Sequence, residues 1–144
     1  MNTHREIVSL ADKKIEEAER MCANGDYSAA YYYAGYAVEL YLKARICITL
    51  DIDDFYDFGN RPKLINEDTI MRSYKVHNFE QLLILSGLNK IHRQEMKSVS
   101  FDAAWNILIE WKEDVRYTTG IEKQKAIKFI NSVKTFATWI KRHL

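Results

Sequence analysis

The chain has 144 residues, 47% of them hydrophobic, and a formal net charge of +1 from 21 basic and 20 acidic side chains. That length suits one domain with its own core, and the balance excludes both a disordered chain and a broadly basic coat for nucleic acid, leaving room for a local basic patch. Five glycines and one proline are too few for a turn-rich β protein, so the composition leans helical.

Residues 1–6 lack the apolar core of a signal peptide. Thr3 and Glu6 have the three-residue spacing of a capping box, in which each side chain satisfies the other's backbone amide. Ile7, Leu10, Ala11, Ile15, Ala18 and Cys22 then recur at helical spacing. Asn24-Gly25-Asp26 stops this helix and starts the next.

The second helix, from about Tyr27 to Leu50, is expected to be the most buried. Ala30, Ala34, Ala37 and Ala44 form a stripe that admits neighbouring helices, and the tyrosines of residues 31–36 read as core and interface packing. Glu39, Lys43 and Arg45 interrupt this apolar run, so it is no membrane span. Cys22 and Cys47 read as buried free thiols of a cytosolic protein. A cytoplasmic location follows.

An irregular loop is expected at about 51–76, holding Pro62 and an aspartate-rich run whose spacing departs from that of a calcium loop. A short helix follows at residues 78–86. Ser100 then caps a helix that uses Ala104, Trp105, Leu108, Trp111 and Val115. Thr119 and Glu122 supply a second capping box for a final helix burying Ala126, Phe129, Ile130, Val133, Phe136, Ala137 and Ile140. No run alternates with period two. The expected fold is all-α, an antiparallel up-and-down bundle of four long helices plus a short one, forming one domain over 1–144.

Chemistry is sparse. The histidines His4, His77, His92 and His143 stand at no metal-ligand spacing, and neither a nucleophile motif nor a glycine-rich phosphate loop is present. No catalytic residue, metal or cofactor is therefore assigned. Three features stand apart from the core. Glu39 and Lys43 lie four residues apart inside an apolar helix, as an ion pair would. His77 opens a helix, and Arg116-Tyr117 ends one. Read structurally, these are a helix-edge salt bridge, a capping residue and a surface cation at a helix C-terminus.

Together they resemble a known family. The run Ala34-Gly35-Tyr36-Ala37-Val38-Glu39-Leu40-Tyr41-Leu42-Lys43-Ala44 is similar to the Ala-x-Glu-x-x-x-Lys-Ala helix of HEPN domains. His77-Asn78-Phe79-Glu80-Gln81-Leu82-Leu83 resembles the family's His-x-Leu-x-x-Leu segment, with Phe79 in place of a leucine, and Arg116-Tyr117 resembles its Arg-Tyr. The resemblance implies a helical bundle, commonly a homodimer, that handles nucleotides or RNA. Many members are metal-independent ribonucleases of toxin or defence systems; others are inactive binding modules or partners of minimal nucleotidyltransferases.

The ribonuclease branch has an Arg and a His separated by four to six residues, the His lying near the start of the last helix. Ile121, Glu122 and Lys123 stand where that His belongs. The similarly spaced Arg72 and His77 lie in the wrong element. The resemblance thus implies a noncatalytic, dimeric module in a defence or toxin–antitoxin setting. Lys43, His77, Arg116 and Tyr117 would bind nucleotide or RNA, with Glu39 beside them, and the cations would converge within about 10 Å of one another. A ribonuclease toxin with a variant site and a companion of a nucleotidyltransferase are the alternatives.

Overall fold

The computed structural model describes residues 3–52, 77–112, 114 and 119–144, and every regular element among them is a helix. Helix α1 (His4–Ala23) begins at the expected capping box. The Thr3 hydroxyl accepts from the Glu6 amide, and the Glu6 carboxylate accepts from the Thr3 amide, both at 3.2 Å. Gly25 turns the chain at φ +86°, a backbone region that disfavours side chains. Helix α2 (Tyr27–Leu50) follows, buried on most of its circumference. Such a helix is a bundle's centre rather than its wall.

Beyond the undescribed stretch come α3 (Phe79–Leu85), α4 (Asn89–Glu95), α5 (Val99–Leu108) and α6 (Lys123–Lys141). Side-chain pairs set their directions. Asp12 meets Lys141 at 2.6 Å and Glu19 meets Lys134 at 3.1 Å, so α1 and α6 run antiparallel. Tyr31 packs on Phe129, and the Arg45 guanidinium donates to the His143 carbonyl at 2.9 Å, so α2 and α6 run parallel. Phe101 packs on Trp139 and Trp105 on Phe136, so α5 opposes α6. The four main helices α1, α2, α5 and α6 thus alternate up and down, as expected, with α3 and α4 lying in the crossing between α2 and α5. The buried Tyr41 hydroxyl donates to Asp12, adding a polar tie between α1 and α2. Cys47 is buried and Cys22 half-buried. Among the described residues no helix is long and apolar enough to cross a membrane.

Four expectations need correction. Helix α4 occupies what reads as a polar connection, because its one buried side chain is a histidine and it shows no apolar period. His92 is wedged edge-on against Trp105, Phe101 and Trp139, with ring centroids 4.4–5.5 Å away. Ser100 does not cap α5: Ser98 holds that position, and the two hydroxyls pair with each other at 3.2 Å. Nor does α5 reach Trp111, and Val115 lies outside the described residues. The helix ends at Leu108, where the Trp111 amide closes a turn on the Leu108 carbonyl. The second capping box is absent as well. Glu122 stands at the N-cap of α6 without a capping hydrogen bond, and the neighbouring Ile121 amide donates instead to Ser28 on α2, at 3.3 Å. Residues 53–76, including Pro62, lie outside the described residues.

Candidate functional site

Gly35, Glu39 and Lys43 succeed one another at four-residue intervals, which places them on one face of α2. Glu39 is 1% exposed and Lys43 3%. Ionisable side chains are almost never buried so fully unless paired. The Lys43 ammonium donates to Glu39 Oε1 at 2.6 Å, and His77 Nδ1 lies 2.9 Å from the same oxygen. The expected Glu39–Lys43 ion pair therefore exists, but in the core rather than at a helix edge.

His77 is not the cap of α3. Asn78 is, its side-chain oxygen accepting from the Gln81 amide at 3.1 Å. An Asx residue in extended backbone is the favoured cap. This leaves His77 one position earlier, with its ring turned back onto α2. Hydrogen bonding of one ring nitrogen to a carboxylate fixes the orientation of an imidazole.

His77 also lines a hollow of about 260 Å³, together with Asn78, Phe79, Glu80, Ile109, Trp111 and Lys112. Phe79 and Trp111 form its apolar back wall, stacked 5.2 Å apart and within 4° of parallel. His77, Lys112 and the Asn78 amide nitrogen are its donors, and the Glu80 carboxylate sits at its edge. Hollows of about 340 and 510 Å³ lie along the α1–α6 seam, where Lys134 and Lys141 already bind acids of α1.

Of the residues singled out from the sequence, the fold brings Glu39, Lys43 and His77 together. Lys43 points at Glu39, so the anion on which two of the expected cations converge is an internal carboxylate. Arg116 and Tyr117 lie outside the described residues. No group of His, Cys, Asp and Glu able to hold a metal occurs among the described residues. Sequence reasoning missed Lys112, an exposed cation whose only sequence mark is its place beside Trp111. It also missed Gly35, although a glycine inside a buried helix is itself a sign of close packing.

A family model for the HEPN domain matches residues 4–54, the span of α1 and α2. It includes the Ala34–Ala44 run and stops short of His77 and Arg116. No curated protein and no solved structure matches the chain.

Proposed function

We propose, taking the HEPN-domain match over residues 4–54 as the premise, that this chain is a noncatalytic HEPN module binding the phosphate of a nucleotide or RNA at the His77–Lys112 hollow. The observation that carries this reading is the buried Glu39 carboxylate holding His77 by Nδ1 at a hollow that Lys112 also lines. When the ring is protonated, Nδ1–H can donate to Glu39 and Nε2–H to a phosphate oxygen. Lys112 adds a mobile ammonium, and Lys43 balances Glu39 so that the buried carboxylate does not repel the ligand. Arg116 and Tyr117 follow Lys112 closely in sequence and would add a bidentate cation and an aromatic contact. Charge-assisted hydrogen bonds contribute roughly 1.5–3 kcal/mol each, so the affinity is on the order of micromolar. Catalysis is not assigned, because Ile121, Glu122 and Lys123 replace the ribonuclease histidine. The setting is defence or toxin–antitoxin biology, and the module is a cytoplasmic homodimer or the companion of a nucleotidyltransferase.

Fluorescence anisotropy with a labelled single-stranded RNA of about a dozen nucleotides tests this in EDTA. His77→Ala and Lys112→Ala should each weaken binding by about tenfold, and binding should fall steeply with salt. Arg116→Ala should cost more than Arg116→Lys, since lysine keeps the charge and loses the fork. Unchanged affinity in both the His77 and Lys112 variants would remove the site. RNA cleavage in EDTA would overturn its noncatalytic character.

A further inference from the structure

Gly35 lies one helical turn before Glu39, on the same face of α2. A Cβ built at Gly35 would come within 2.1–2.4 Å of Nε1, Cε2 and Cδ1 of the Trp111 indole, far closer than atoms can pack. The indole therefore lies flat on the α2 backbone, in a seat that only glycine leaves open. Glycine in a helix interior costs about 1 kcal/mol relative to alanine, so its presence at the centre of the most buried helix calls for a close approach of this kind. Trp111 is 4% exposed, and it stacks on Phe79, which is 3% exposed. Phe79 lies two residues after His77, and His77 returns to α2 at Glu39.

These contacts close a circuit from Gly35 through Trp111, Phe79 and His77 to Glu39. It begins and ends one turn apart on α2. Lys112 is bonded directly to Trp111, so the position of the indole also sets where the Lys112 backbone enters the hollow. The other face of the circuit is closed by Tyr32, whose ring stacks 6.0 Å from that of Trp111.

We propose that Gly35 and Trp111 are positioning residues of the phosphate site: the glycine seat fixes the indole, and the indole fixes the separation and orientation of His77 and Lys112. The proposal rests on the reading of His77 and Lys112 as ligand contacts, and it goes beyond it by assigning the site's geometry to a packing contact that touches no ligand. Trp111 acts here through Phe79 and through its covalent neighbour. A purely structural tryptophan would support the stability of the bundle without governing the imidazole of His77.

The test uses the full chain labelled with ¹⁵N, read by the ring-nitrogen signals of His77 and by anisotropy with the same short RNA. The variants are Trp111→Phe, Gly35→Ala and, as a control in the same core, Trp105→Phe, which packs on Phe136 and His92 instead. Trp111→Phe and Gly35→Ala should each shift the His77 ring signals and weaken RNA binding at least severalfold at a temperature where the chain is fully folded. Trp105→Phe should lower the melting temperature and leave both readouts alone. If Gly35→Ala does not fold, Trp111→Phe carries the comparison. His77 signals that are the same in Trp111→Phe and wild type would overturn the proposal. A wild-type chain that binds no RNA would overturn the functional reading instead, and the His77 signals would still decide the positioning role.

Discussion

Lys43→Ala is expected to destabilise the fold by about 3–5 kcal/mol. Glu39 and Lys43 are 1% and 3% exposed, and their contact is 2.6 Å long. Bringing two charges into a protein interior costs several kcal/mol per ion, which their mutual attraction and hydrogen bonds offset. Removing the ammonium leaves the cost of the buried carboxylate in place and takes away its main compensation. Water reaches Glu39 too little to replace it. Lys43→Met combined with Glu39→Leu should recover much of the loss, because an apolar pair of similar volume carries no desolvation cost. Urea unfolding followed by circular dichroism measures both variants. A Lys43→Ala loss below about 1 kcal/mol, typical of an exposed ion pair, would show that the pair is solvated.

Acidification should act through His92. Its ring is 4% exposed, Nε2 has no hydrogen-bond partner among the described residues, and the rings of Trp105, Phe101 and Trp139 pack on it. Burial lowers its pKa from 6.5 to about 4. The unfolded chain therefore binds a proton between these values that the folded chain refuses. The stability that depends on the neutral ring is complete above pH 6.5 and falls away as the pH drops toward 4. The loss amounts to about 3 kcal/mol across that window. His143, which packs on Trp139 from α6, is shifted the same way by burial and by the charges of Arg142 and Arg45. The Glu95–Arg142 bridge at 3.7 Å also ties α4 to the end of α6. His92→Phe isolates the contribution of the one ring, since it keeps the aromatic contacts and removes the orphan nitrogen. The variant should match or exceed wild-type stability at pH 7, and its advantage should grow by about 3 kcal/mol by pH 4. Parallel pH profiles for the two proteins would contradict the account.

The same two groups show what the sequence could and could not disclose. Helices α1, α2 and α6 were legible because apolar residues repeat at helical spacing, and Thr3 and Glu6 marked the start of α1 to the residue. Helix α4 was hidden because a histidine, not an aliphatic residue, fills its contact with the core. A capping motif such as Thr119–Glu122 is a local offer, and here tertiary contact outbid it through Ser28. For the site, spacing alone identified the Glu39–Lys43 pair. Its burial was not legible, since that depends on which helices close over α2. His77 was marked by its place at a helix start and by family resemblance, yet its contact with Glu39 followed only from Asn78 taking the cap. Gly35 and Lys112 gave almost no signal, because their importance lies in what meets them in space.

In the proposed site a phosphate group is held between His77 and Lys112. Chemical-shift mapping of the ¹⁵N-labelled chain during titration with ATP tests it most directly. The account predicts that the perturbed signals cluster on His77, Asn78, Gln81, Trp111 and Lys112, and that Glu39 and Lys43 respond because they hold His77. Perturbations confined to the α1–α6 seam, around Glu19, Lys123 and Lys134, or a titration that leaves the His77 signals unmoved, would contradict it.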